Sequence, residues 1–97
     1  MNDGLYEIVE EPDYAAKIDL LEFKFKRITE IKRAISIYLS RIPTTFPKVN
    51  FPFDGFYILR TDSFDEIGID IPVIDVLYYV DERRKRVTLI DCQISGL

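Results

Sequence analysis

Residues 72–92 read Pro72-Val-Ile-Asp-Val-Leu-Tyr-Tyr-Val-Asp81-Glu-Arg-Arg-Lys-Arg86-Val-Thr-Leu-Ile-Asp-Cys92. Two runs rich in β-branched and aromatic residues flank a fully charged segment, Asp81 to Lys85. Such runs fit a pleated, half-buried surface, and a short polar segment between them reads as the turn of a β-hairpin. The strands are expected near 73–80 and 86–93. Tyr78 and Tyr79 are adjacent, so one of them must face away from the core. Tyr57, Tyr78 and Tyr79 read as packing residues of the sheet. Cys92 sits on the second apolar run and reads as a buried, inert thiol, because no histidine exists in the chain to activate it.

Working back from the hairpin, the acidic stretch Asp62-Ser-Phe-Asp65-Glu66-Ile-Gly-Ile-Asp70 reads as a connecting loop. Its carboxylates match no calcium-loop spacing, so no metal is expected there. Phe56-Tyr-Ile-Leu-Arg-Thr61 is the preceding strand. Residues 43–55 carry Pro43, Pro47, Pro52 and Gly55 and read as a loop. From Ala15 to Ile42 the chain has neither glycine nor proline. Ile18, Leu21, Phe25, Ile28, Ile31, Ile35, Tyr38 and Ile42 recur at spacings of three and four, the period of one buried helical stripe. Pro12 suits a first helical turn, and Pro43 ends the helical region.

A single helix over 13–42 would measure roughly 45 Å at about 1.5 Å per residue. A domain of this size has a radius of gyration of only about 12–13 Å, so two helices are expected. The break falls near Phe23–Arg27, where Phe-Lys-Phe-Lys alternates and Phe23 leaves the stripe. Leu5-Tyr-Glu-Ile-Val9 is a short first strand. The order β-α-α-β-β-β implies one α+β domain over 1–97, with an antiparallel sheet and a helical pair on one face.

Composition narrows the class. With 47% hydrophobic and 31% charged residues the chain is a globular protein, not a disordered one. No apolar run approaches the ~20 residues of a membrane span. The acidic start Met1-Asn-Asp-Gly does not read as a signal peptide, and a lone cysteine makes no internal disulfide, so a cytoplasmic protein is expected. The net charge of −4 is segregated. Residues 1–13 hold five acids and no base, and 62–82 hold seven acids and no base. Bases gather at Lys24, Lys26, Arg27, Lys32, Arg33 and at Arg83-Arg84-Lys85-Arg86. Distinct positive and negative surfaces follow, while the acidic balance speaks against general coating of nucleic acid. The helical bases are expected to pair with Asp19, Glu22 and Glu30 at helical spacings.

Tyr6-Glu-Ile-Val9 with Asp13-Tyr14, then Gly55-Phe-Tyr-Ile-Leu-Arg60, then Val76-Leu-Tyr-Tyr-Val-Asp81 leading into Arg86-Val-Thr-Leu-Ile90 give the whole chain a pattern that resembles the RelE/ParE toxins of bacterial toxin–antitoxin systems. The resemblance implies an antitoxin partner and action on the ribosome with its mRNA, or on gyrase, with no cofactor and no membrane. The family's ribonucleases hold RNA with cations across the sheet face. Arg60 stands where the family often has a basic residue, and it is the one catalytic candidate. Asp75 stands about where an arginine would open the next strand, and an aspartate repels phosphate. The tail Gln93-Ile-Ser-Gly-Leu97 has no arginine, histidine or tyrosine. Whether the chain is an enzyme is therefore open. Arg60, Arg83, Arg84, Lys85 and Arg86 are the expected binding residues. The competing expectation is a non-catalytic interaction module or inactive homologue of the same fold, dimeric through its helical pair or a sheet edge.

Overall fold

A computed structural model of the chain describes residues 5–49, 54–61 and 72–95. The acidic segment 62–70 lies outside the described residues, as do the chain's first four positions and last two. The elements run β1 (Glu7–Glu10), α1 (Pro12–Lys24), α2 (Ile28–Arg41), β2 (Lys48–Val49), β3 (Phe56–Arg60), β4 (Ile74–Asp81) and β5 (Arg86–Ile94). The fold is α+β, with two helices on a five-stranded sheet ordered β1-β5-β4-β3-β2. All neighbours are antiparallel except β1 and β5, which run parallel with Glu7 opposite Arg86 and Glu10 opposite Leu89. Parallel pairing needs a long crossover, and here nearly the whole chain separates the two strands.

The helical region divides where Phe23-Lys-Phe-Lys suggested. Phe25 caps α1 in extended backbone, its N–H donating to the Leu21 carbonyl at 2.8 Å, and Ile28 N–H donates back to the Phe25 carbonyl at 2.9 Å. The break lets both helices lie on a body whose longest extent is 37 Å. Tyr14, Ile18 and Leu21 of α1 and Ile28, Ile31, Ile35 and Leu39 of α2 are buried. The last positions of the expected stripe are corrected here: Tyr38 and Ile42 are exposed, and Leu39 takes the core place. A step of three or of four from Ile35 fits a period of 3.6 equally well, and packing selects the second.

Ion pairing is corrected too. Lys32 reaches Asp19 at 3.7 Å and Glu22 at 3.3 Å, spanning the two helices instead of one helical turn. Glu22 also accepts from the Thr29 hydroxyl, so one carboxylate ties the end of α1 to the start of α2. That hydroxyl and Lys32 hold the Glu22 carboxyl below the usual range. Among the described residues only Arg27 and Glu30, at 3.0 Å, pair at helical spacing.

On β4 the alternation is strict: Ile74, Val76, Tyr78 and Val80 are buried under the helices, while Asp75, Leu77, Tyr79 and Asp81 are half-buried on the other face. The paired register sends Tyr57 and Leu59 of β3 inward with Tyr78 and Val76. Between β4 and β5 the register slips, with Leu77 opposite Asp91 but Tyr78 opposite Leu89, leaving Ile90 as an extra residue. A bulge of one residue reverses the facing of everything beyond it. It carries Cys92 into the core after Val87 and Leu89, and turns Asp91 outward.

Two features lie within the segment that reads as loop. The two residues of β2 pair with Phe56 and Tyr57, so the loop contains a short edge strand. Gly55 has φ +105° and its carbonyl accepts from Val80 N–H at 2.8 Å. A Cβ there would stand 2.6 Å from Cε1 of Tyr79. Side chains rarely adopt that backbone, and the ring would also have to swing away. Gly55→Ala is expected to lower stability by about 1–3 kcal/mol, read as a lower midpoint in urea with an unchanged slope.

Candidate functional site

The β4–β5 turn is firmer than its charge suggests. The Asp81 carboxylate accepts from the backbone N–H groups of Arg83 and Arg84, both at 3.1 Å, which fixes the start of the turn. Lys85 closes it in the left-handed region with φ 51°. Its ammonium lies 4.8 Å from the Tyr6 ring centre, and the Tyr6 hydroxyl donates to Glu82 at 2.9 Å. Tyr6 thus braces the turn from the start of the chain. Its role has no signature in the sequence, since the contact joins residues 76 positions apart.

The expected basic cluster separates into distinct roles. Arg86 is the first residue of β5 and pairs with Glu7 of β1 at 3.0 Å, across the parallel register. Lys85 is engaged with Tyr6. Arg83 and Arg84 are exposed, and among the described residues neither side chain has an ion-pair partner. They form a two-cation head on a braced turn.

Arg60 ends β3 directly opposite Asp75 on β4, and its Nε lies 2.9 Å from the Asp75 carboxylate. The aspartate in the place of an expected cation therefore holds the neighbouring arginine. Arg60 and the turn are not brought together. They mark opposite ends of β4, about 20 Å apart over its six-residue separation at ~3.3 Å per residue. No single phosphate reaches both.

Near Arg60 the sheet bears a cleft of about 220 Å³, lined by Ile58, Asp75, Leu77, Asp91, Cys92 and Gln93. Its carboxylates are spoken for: Asp75 by Arg60, and Asp91 by Lys17 at 2.8 Å. The Asp91 hydrogen bond and charge raise the Lys17 ammonium above its ordinary value. Burial pushes the Cys92 thiol up to about 11, with Asp91 adding to the rise and Lys17 opposing it. A thiol in that state is a poor nucleophile. Burial likewise raises the phenols of Tyr14 and Tyr78. Among the described residues no group of three or more acids and cysteines converges as a metal site.

No family model, curated protein or solved structure matches this chain. No helix among the described residues is long and apolar enough to cross a membrane.

Proposed function

We propose that this chain is a toxin-like protein with the layout of the RelE/ParE toxins, acting in the cytoplasm by docking onto a negatively charged macromolecule and restrained by an antitoxin. The observation that carries the reading is the division of labour among its cations. Arg60 is held by Asp75 at 2.9 Å, while Arg83 and Arg84 are displayed on a turn that Asp81 and Tyr6 hold in shape. Charge at an exposed, pre-formed tip steers a partner and fixes register without supplying chemistry. Cleavage of RNA would need cations free to follow charge developing on phosphate. Arg60 is instead tied to a carboxylate, so docking is the better account.

The test is induced expression in a bacterial host. Growth should arrest within a few generations, and co-expression of a small antitoxin-like protein encoded beside the gene should relieve it. Unimpaired growth with folded protein accumulating would reject the toxin reading and leave an interaction module of the same fold.

A further inference from the structure

Helix α1 is apolar on two sides. Tyr14, Ile18 and Leu21 face the core, whereas Pro12, Ala16, Leu20 and Phe23 are all exposed. The second set steps by four, four and three residues, which stacks it into one outward strip. Leu20 is 56% and Phe23 87% exposed, the two most exposed large apolar side chains among the described residues. Lone exposed apolar residues are ordinary, but an aligned strip at the crest of a helix is not.

The strip is also bounded by charge of opposite sign at its two ends. Glu11 and Asp13 flank its first residue, and Lys24 and Lys26 follow its last. Among the described residues none of these four has an ion-pair partner. Small Ala16 lies toward the acidic end and large Phe23 toward the basic end. Turned antiparallel about a two-fold axis between Asp19 and Leu20, the strip complements itself. Phe23 then meets the partner's Ala16, and Asp13 approaches the partner's Lys26. A two-fold contact requires this self-complementarity of a single surface.

We propose that a second copy of this chain covers the strip, with α1 packed antiparallel against the partner's α1. A helix of 13 residues is about 20 Å long and ~10–12 Å wide, so the contact buries less than the ~800 Å² per subunit of stable complexes. The dimer is accordingly weak, with a dissociation constant of about 10 μM to 1 mM.

Sedimentation equilibrium from about 5 μM to 1 mM tests this on the intact chain, over the range set by that affinity. Wild type should shift from monomer to dimer. Phe23→Ser and Leu20→Glu, both at exposed positions, should weaken dimerisation at least ~10-fold, the loss of roughly 1.4 kcal/mol. Lys24→Glu with Lys26→Glu should weaken it likewise. Adding Glu11→Lys and Asp13→Lys to that variant should restore it, with circular dichroism confirming that each variant is folded. A wild type monomeric at 1 mM would overturn the proposal. So would a dimer indifferent to Phe23→Ser and Leu20→Glu, or a charge-exchanged variant that stays as weak as the double lysine change.

Discussion

Tyr78→Ala should destabilise the protein by about 3–5 kcal/mol, enough to leave much of it unfolded at 37 °C given the usual total of ~5–15 kcal/mol. Tyr78 is fully buried on β4, in one core cluster with residues of both helices. Its ring stacks on Tyr57 with centres 5.6 Å apart. Its hydroxyl donates to the Pro43 carbonyl at 2.5 Å, the point where the chain leaves α2. One side chain therefore joins the sheet core to the end of the helical layer. Removing the ring leaves a cavity, and the orphaned carbonyl adds its own desolvation cost. Tyr78→Phe separates the two contributions: only the hydrogen bond is lost, and a cost of about 1–3 kcal/mol is expected. Thermal and urea unfolding of both variants check the values. Equal losses from Phe and Ala would show that ring packing contributes nothing.

Cys92 should react with a thiol reagent at pH 8 roughly 200-fold more slowly than an unfolded thiol, from ionisation alone. A thiol near 8.5 is about a quarter ionised at that pH, whereas one pushed to about 11 is ionised in only about one molecule in a thousand. Burial in the core opposite Val76, with 3% of its surface exposed, adds a steric factor in the same direction. The stability consequence has a definite sign. Above the unfolded value of about 8.5 the unfolded chain loses a proton that the native chain keeps until about 11. Stability from this group is therefore full below about pH 8.5 and falls between there and about 11, by at most ~1.4 kcal/mol per pH unit. The raised phenols of Tyr14 and Tyr78 act in the same direction at higher pH. Labelling rates with and without denaturant, and urea midpoints from pH 7 to 10, measure both effects. A native labelling rate at pH 8 within a few-fold of the denatured rate would refute the burial of this thiol.

The architecture was largely legible because its signals are local. Charged residues between two β-branched runs mark the hairpin, and the apolar period marks the helices. The helix break was readable from Phe23 leaving the stripe and from the size of the domain, although no glycine or proline stands there. What escaped depends on register. Nothing local shows that Ile90 is an extra residue, yet that slip decides that Cys92 points in and Asp91 out. The two residues of β2 are too few to stand out between prolines. Leu39 and Tyr38 were equivalent until the core chose between them. The candidate site was legible as a set of cations but not as an arrangement. Aspartate 75 was visible as an anomaly in the family pattern, while its role as the partner of Arg60 needed the β3–β4 register. The bracing of the turn by Tyr6 joins residues 76 positions apart, and the parallel docking of β1 on β5 brings them within reach.

The decisive measurement compares growth arrest by two variants induced to equal levels: Arg60→Ala, and Arg83→Glu combined with Arg84→Glu. Arg60→Ala should still arrest growth and the charge-reversed turn should be harmless, both proteins being folded. Loss of arrest with Arg60→Ala alone, accompanied by mRNA cut at the ribosomal A-site in wild-type cells, would contradict docking through the turn.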